Sequence, residues 1–267
     1  MKIVTYEVGE YQVSLIGYLR DHNGKNESRN KRPCIILCPG GGYRFHSKAE
    51  SDPVALYYFA LGVDVFTLHY SVGEHASDFA PLLELSESVR LVRNKAQELE
   101  IDPDKIAVMG FSAGGHLAAS LAVLHHNEAF MRVSGIRDGS NKPNAALLCY
   151  SVITSGTYRH EGSIERVSGG KETLKKLFSL ENHVTSDCPP IFIWTTQTDQ
   201  SVPVQNSLLL VNALVKEKVS VEFHLFPSGF HALAMCSDEC AQPRESAEQW
   251  KALSVRWLST LFAFQMV

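Results

Sequence analysis

The chain has 267 residues, of which 45% are apolar and 20% charged, ordinary globular values that exclude a disordered or fibrous chain. Its 25 basic and 29 acidic residues leave a net charge of −4 with no long run of either sign. The clustered basic surface that nucleic-acid binding needs is therefore missing. No stretch reaches the roughly 18 apolar residues of a membrane span, and Met1–Glu7 alternates where a signal peptide would be continuously apolar. The expectation is a soluble, cytoplasmic protein without cofactor, membrane or nucleic-acid partner. Monomer and homo-oligomer are both left open.

Two alternating segments, near 3–8 and 11–20 around Gly9-Glu10, predict an antiparallel hairpin. A polar loop from Asp21 to Arg32 follows, carrying the sequon Asn26-Glu27-Ser28, incidental without an export signal. The apolar runs Pro33–Cys38 and Val63–Leu68 suit central parallel strands. Leu82, Leu85, Val89, Val92, Ala96 and Leu99 are spaced for one face of a helix over 82–99. Asp102-Pro103-Asp104 breaks the chain before a strand at Ile106–Met109, and helical density returns over 113–125.

Further strands are expected at Ala145–Tyr150, Ile191–Thr196 and Val219–Phe226, and helices near 204–217 and 245–262. Strand–helix alternation argues for an α/β fold, a mostly parallel sheet with helices on both faces and the hairpin at one end. The segment from about 154 to 187 breaks the rhythm and reads as a lid or binding insertion in a single domain spanning 1–267.

Gly110-Phe111-Ser112-Ala113-Gly114 fits G-x-S-x-G between a strand and a helix, the setting that lifts a serine hydroxyl above a sheet edge. Ser112 is the candidate nucleophile. Pro39-Gly40-Gly41-Gly42-Tyr43 ends the Pro33–Cys38 strand. There the N–H groups of Gly41 and Gly42, with that of Ala113, are candidates for an oxyanion hole. Tyr43 is a candidate substrate contact.

In this arrangement an acid and then a histidine follow the serine in chain order. Asp199, leaving the Ile191–Thr196 strand, is the candidate orienting acid, with Asp187 and Glu181 as rivals. His231, after the last strand, is the candidate general base. Trp194 is read as pocket lining or strand core. The six cysteines (34, 38, 149, 188, 236, 240) sit mostly in or beside strands as small hydrophobes. Cys236, Cys240 and His231 lack CxxC spacing, so no metal site is expected.

The chain resembles the small bacterial carboxylesterases of the α/β-hydrolase superfamily related to acetyl and acetyl-xylan esterases. The likeness spans about 33–235 and rests on the glycine loop 39–43, on Asp102-Pro103 and on Ile106 through Ala118. It continues with Ser179–Val184, Asp199 through Val202-Pro203 to Ser207, and His224–Pro227 before His231. It implies hydrolysis of short-chain esters, among them acetyl groups on sugars or xylo-oligosaccharides, through an acyl-serine and without a metal. Relatives often place His where Pro39 stands, Arg where Ser71 stands and glycine where Ala232 stands. Two other readings compete: an acylaminoacyl or peptidase-type hydrolase, whose usual large N-terminal propeller has no room here, and a silent binding protein on the same fold.

Overall fold

The computed structural model describes residues 1–20, 31–238 and 246–266. The sequon, most of the 21–32 loop and Cys240 lie outside them. In chain order come β1 (Lys2–Val8), β2 (Val13–Leu19), β3 (Arg32–Cys38), α1 (Asp52–Ala60), β4 (Asp64–Leu68), α2 (Ala80–Asn94) and α3 (Ala96–Leu99). Then follow β5 (Ile101–Phe111), α4 (Ser112–Leu124), α5 (Glu128–Ser134), β6 (Ala145–Cys149), α6 (Glu161–Ser168), α7 (Glu172–Leu177), β7 (Ile191–Thr196), α8 (Gln205–Lys216), β8 (Val221–Phe226) and α9 (Trp250–Leu261).

The strands form one sheet in the order β1-β2-β4-β3-β5-β6-β7-β8. β1 pairs antiparallel with β2 in unbroken register from Lys2↔Leu19 to Val8↔Val13, and β2 pairs antiparallel with β4. Every other pairing, from β4 across to β8, is parallel. This is the α/β-hydrolase arrangement, with the hairpin at one edge as expected.

Strand alternation divides the core between the two faces. Ile36, Phe66, Val108, Leu148 and Ile193 pack with Leu85 and Val89 of α2, Leu117 and Leu121 of α4 and Leu210 of α8. Leu37, Val65, Met109, Leu147 and Phe192 pack with Val54 and Tyr58 of α1 and with Trp250 and Trp257 of α9. Trp194 belongs to that second layer, fully buried and stacked on Trp250 at 5.2 Å, so it is strand core and not pocket wall.

Two boundaries differ from the sequence reading. The helix over 82–99 is interrupted at Lys95, whose ψ of 8° leaves the helical range, giving α2 and the short α3. Asp102-Pro103-Asp104 does not end the chain's extended run. It lies within β5, where Ile101 pairs with Arg32 and Ile106 with Cys34, so residues 102–105 bulge out opposite Pro33.

Candidate active site

Three parallel strands and the glycine loop deliver the candidate residues to one edge of the sheet. Between β5 and α4, Ser112 takes φ +53°, a left-handed conformation that costs about 1–2 kcal/mol for a residue with a side chain. The surrounding packing enforces it. A Cβ on Gly114 would lie 2.1 Å from the Cys38 carbonyl oxygen, and one on Gly110 would lie 2.1 Å from the Gly114 carbonyl oxygen. Only glycine lets α4 close onto β3 and β5 backbone to backbone. The turn that results leaves Ser112 almost buried, 7% exposed, at the floor of a cleft.

The loop after β3 is folded back on itself. The Arg44 and Ser47 N–H groups donate to the Gly41 and Gly40 carbonyls at 3.0 and 2.9 Å. Gly41 sits at φ +130°, and a Cβ there would strike the Phe45 carbonyl oxygen at 1.9 Å. Gly41 and Gly42 line the cleft beside Ser112, and neither N–H meets a protein acceptor among the described residues. Ala113 is the second residue of α4, within the first turn whose N–H groups have no partner inside the helix and carry its positive dipole end. These are the three candidate oxyanion donors named from the sequence.

Asp199 leaves β7 and is 4% exposed. Its Oδ1 accepts the N–H groups of Ser201 and Val202, each at 2.9 Å, which turns Oδ2 toward His231 Nδ1 at 2.7 Å. The turn after β8 is pinned by Gly229, whose carbonyl accepts the hydroxyls of Thr196 and Thr198 at 2.9 Å each. His231 Nε2 then lies 2.7 Å from Ser112 Oγ. With its Nδ1 proton held by Asp199, a neutral His231 presents its Nε2 lone pair to the serine hydroxyl. Tyr150 packs edge-on against the imidazole at 5.1 Å.

The cleft has a volume of about 380 Å³. Its remaining wall includes His160 and Arg166 of the 154–187 segment. Arg166 Nη1 donates to the Gly162 carbonyl at 2.6 Å and to that of Gly42 at 3.3 Å, tying α6 to the glycine loop. Burial, helped by His231 and Arg166, lowers the pKa of His160, whose Nδ1 accepts the Ser163 N–H at the start of α6.

Tyr43 is a correction. Its side chain is fully buried and its hydroxyl donates to His116 Nδ1 at 2.9 Å, so it does not reach the cleft. His116 Nε2 faces the Phe178 carbonyl at 3.0 Å, and burial pushes its pKa down to about 4. This neutral histidine braces the glycine loop onto α4. Ser71, where relatives carry Arg, bonds Glu84 through both N–H and hydroxyl. Ala232, in the position of a common glycine, takes φ +64° and lines the cleft.

The rival acids lie elsewhere. Glu181 accepts hydroxyls from Thr154 and Ser179 at 2.6 and 2.8 Å. Asp187 pairs with His125 and Lys142 at 2.9 and 2.7 Å. With His126 this makes a grouping of metal-ligand chemistry, in which Lys142 already supplies the positive charge. The sequence reading missed Glu50, which reaches the cleft from a charged stretch without any motif.

Residues 22–214 match the model of the BD-FAE family. The chain is 39% identical over 217 residues to endo-1,4-beta-xylanase B of Butyrivibrio fibrisolvens, covering 78% of this chain and 34% of that protein. It is 29% identical over 213 residues to an acetylxylan esterase of Xylanibacter ruminicola, covering 74% and 40%. The chain thus spans little more than a third of these relatives' lengths. An acetyl ester-xyloside bifunctional hydrolase from Caldicellulosiruptor lactoaceticus superposes with a TM-score of 0.81 at 36% identity, covering 96% of this chain and 90% of that one. With the α/β-hydrolase sheet and these matches over most of its length, the chain belongs to the BD-FAE family.

Proposed function

We propose that the protein is a serine carboxylesterase that removes short acyl groups, acetyl above all, from small sugar or xylo-oligosaccharide esters. The observation that carries this reading is the continuous chain Asp199–His231–Ser112, with both links at 2.7 Å, opening on a cleft beside Gly41 and Gly42.

The chemistry follows from those contacts. As Ser112 Oγ attacks the ester carbonyl carbon, His231 Nε2 takes its proton, and the carbonyl oxygen becomes an anion facing the N–H groups of Gly41, Gly42 and Ala113. Collapse of the tetrahedral species breaks the bond to the alcohol oxygen, which takes the proton from His231. Water, activated by the same imidazole, then releases the acid and restores Ser112. No step calls for a cofactor.

The small cleft favours short acyl chains, and the polar wall from 154–187 favours a hydroxylated alcohol. That segment is read as a binding wall inside a single domain. The relatives named for acetylxylan and acetyl-xyloside hydrolysis support the substrate class. Among the described residues no helix is long and apolar enough to cross a membrane. Buried thiols at Cys34, Cys38, Cys149 and Cys188 suit the reducing cytoplasm that the reading assigns.

Turnover of p-nitrophenyl acetate by the wild type, with loss in Ser112→Ala, tests the mechanism. Absence of wild-type activity, or its retention in the variant, would end the proposal. An acyl series and acetylated xylo-oligosaccharides test the substrate, and preference for acyl chains of about ten carbons would overturn the short-chain reading. A matched acetanilide separates esterase from amidase.

A further inference from the structure

We infer that Glu50 is a positioning residue of this machinery, a buried anion that holds the glycine loop and the His231 loop in one frame and supports positive charge on the His231 ring. The inference rests on the hydrolase reading above and extends it to a residue that no motif marks.

Glu50 ends the short 3-10 turn Lys48–Glu50 ahead of α1 and is 1% exposed. Its Oε2 accepts the Gly40 N–H at 2.9 Å. Its Oε1 accepts the Tyr150 hydroxyl at 2.6 Å, and that hydroxyl accepts the Ala234 N–H at 2.9 Å. One carboxylate therefore reaches the oxyanion loop directly and the His231 loop through one phenol, whose ring also flanks the imidazole. The packing leaves no slack: a Cβ on Gly40 would lie 2.5 Å from Glu50 Oε2 and 3.0 Å from Ser112 Cβ.

The charge is the second part of the argument. Gly40 and Tyr150 both donate to Glu50, as an ionised carboxylate requires. Among the described residues no Lys or Arg pairs with it. A buried carboxylate without a fixed cation is costly to keep. The charge that relieves that cost is the imidazolium that forms on His231 during the reaction. The Glu50 pKa is raised, because burial outweighs the hydrogen bonds from Tyr150, Gly40 and Ser47 and the charge on His231 that oppose it.

The other groups facing His231 are Asp199 from the loop after β7 and His160 from the 154–187 segment, with Arg44 and Arg166 on the cleft wall. Around Glu50 stand the neutral Tyr150, Tyr70 and Cys149. Removal of the Glu50 charge therefore destabilises the imidazolium that forms on His231.

The test is kcat, KM and the pH profile of kcat/KM on p-nitrophenyl acetate for wild type, Glu50→Gln and Glu50→Asp, with Ser112→Ala as blank. In Glu50→Gln we expect kcat to fall about 10–100-fold with KM within about 3-fold, and the acid limb to move down by about 0.5–1 pH unit. Glu50→Asp, which keeps the charge, should recover part of both. An acid limb that stays in place in Glu50→Gln overturns the inference, whatever happens to kcat, because a merely structural carboxylate would not move it. If Glu50→Gln fails to fold by circular dichroism, Tyr150→Phe takes its place, cutting the link to the His231 loop. It should lower kcat about tenfold, and wild-type kcat there overturns the brace. A wild type without Ser112-dependent turnover is a different failure, since it removes the hydrolase reading itself.

Discussion

Among the described residues two histidines are hydrogen-bonded to an aspartate, the half-buried His231 and the buried His125, one at either edge of the same sheet. His231 meets Asp199 at 2.7 Å beyond the strand ends, and His125 meets Asp187 at 2.9 Å where α4 ends and the chain turns into β7. Distance does not separate them; the surroundings do. The Asp199 side chain is fully buried and its second oxygen is filled by two backbone N–H groups, which fixes its direction. The Asp187 side chain is 58% exposed and shares its charge with Lys142, whose hydrogen bond is the main cause of its lowered pKa. His231 faces a strained serine hydroxyl; the far side of His125 faces the Ala122 carbonyl of its own helix. A histidine–carboxylate pair becomes a candidate proton relay only where the fold supplies an atom to be deprotonated and donors for the charge that forms.

The sharpest way to break that contrast is at the serine. Ser112→Ala should lower kcat toward p-nitrophenyl acetate by about 10⁴-fold or more, while the melting temperature stays close to wild type, since alanine keeps the Cβ that strains φ +53°. Asp199→Asn should cost about 10³–10⁴-fold. Its amide cannot accept the Nδ1 proton as the carboxylate does, so the wrong tautomer is favoured. Activity within tenfold of wild type would show that the burial of Asp199 is structural only.

Gly41→Ala comes next, at about 10²-fold in kcat, because the Phe45 carbonyl must move and carries a candidate oxyanion donor with it. Rates with phosphonate inhibitors, which place an oxygen in the same hole, should fall in parallel.

How much of this contrast was legible in the sequence differs by residue. Ser112 could be read because the strain of its turn demands glycines at fixed offsets. Asp199 and His231 could be read because chain order and strand ends constrain them, and the same logic ranked Asp187 below Asp199. Tyr43 was misplaced because the direction of a side chain after a positive-φ glycine depends on the whole loop, which here turns it inward to His116. Glu50 left no signal, since its partners Gly40 and Tyr150 lie 10 and 100 residues away and no spacing rule joins them. The bulge in β5 was hidden for a related reason: only the pairing of Pro33 across the sheet shows that residues 102–105 are accommodated without ending the strand.

The smallest expected effect sharpens the comparison from its silent side. Asp187→Asn should leave kcat and KM within about twofold, because its pair lies at the edge of the sheet away from Ser112. Its effect belongs to stability, and its sign follows from the lowered pKa of Asp187. A carboxyl held below its unfolded value of 3.8 stabilises the fold above that pH, and the contribution is lost as pH falls through the lower folded value. For a side chain this exposed the gain is screened to roughly 1 kcal/mol or less. Thermal melts at pH 7 should therefore place the variant a few degrees below wild type, and the gap should narrow once pH falls below 3.8 and close below the lowered folded value. A gap that persists unchanged into acid would trace the loss to packing around His125 and not to charge. A fall in kcat of tenfold or more would show that the two ends of the sheet are coupled after all.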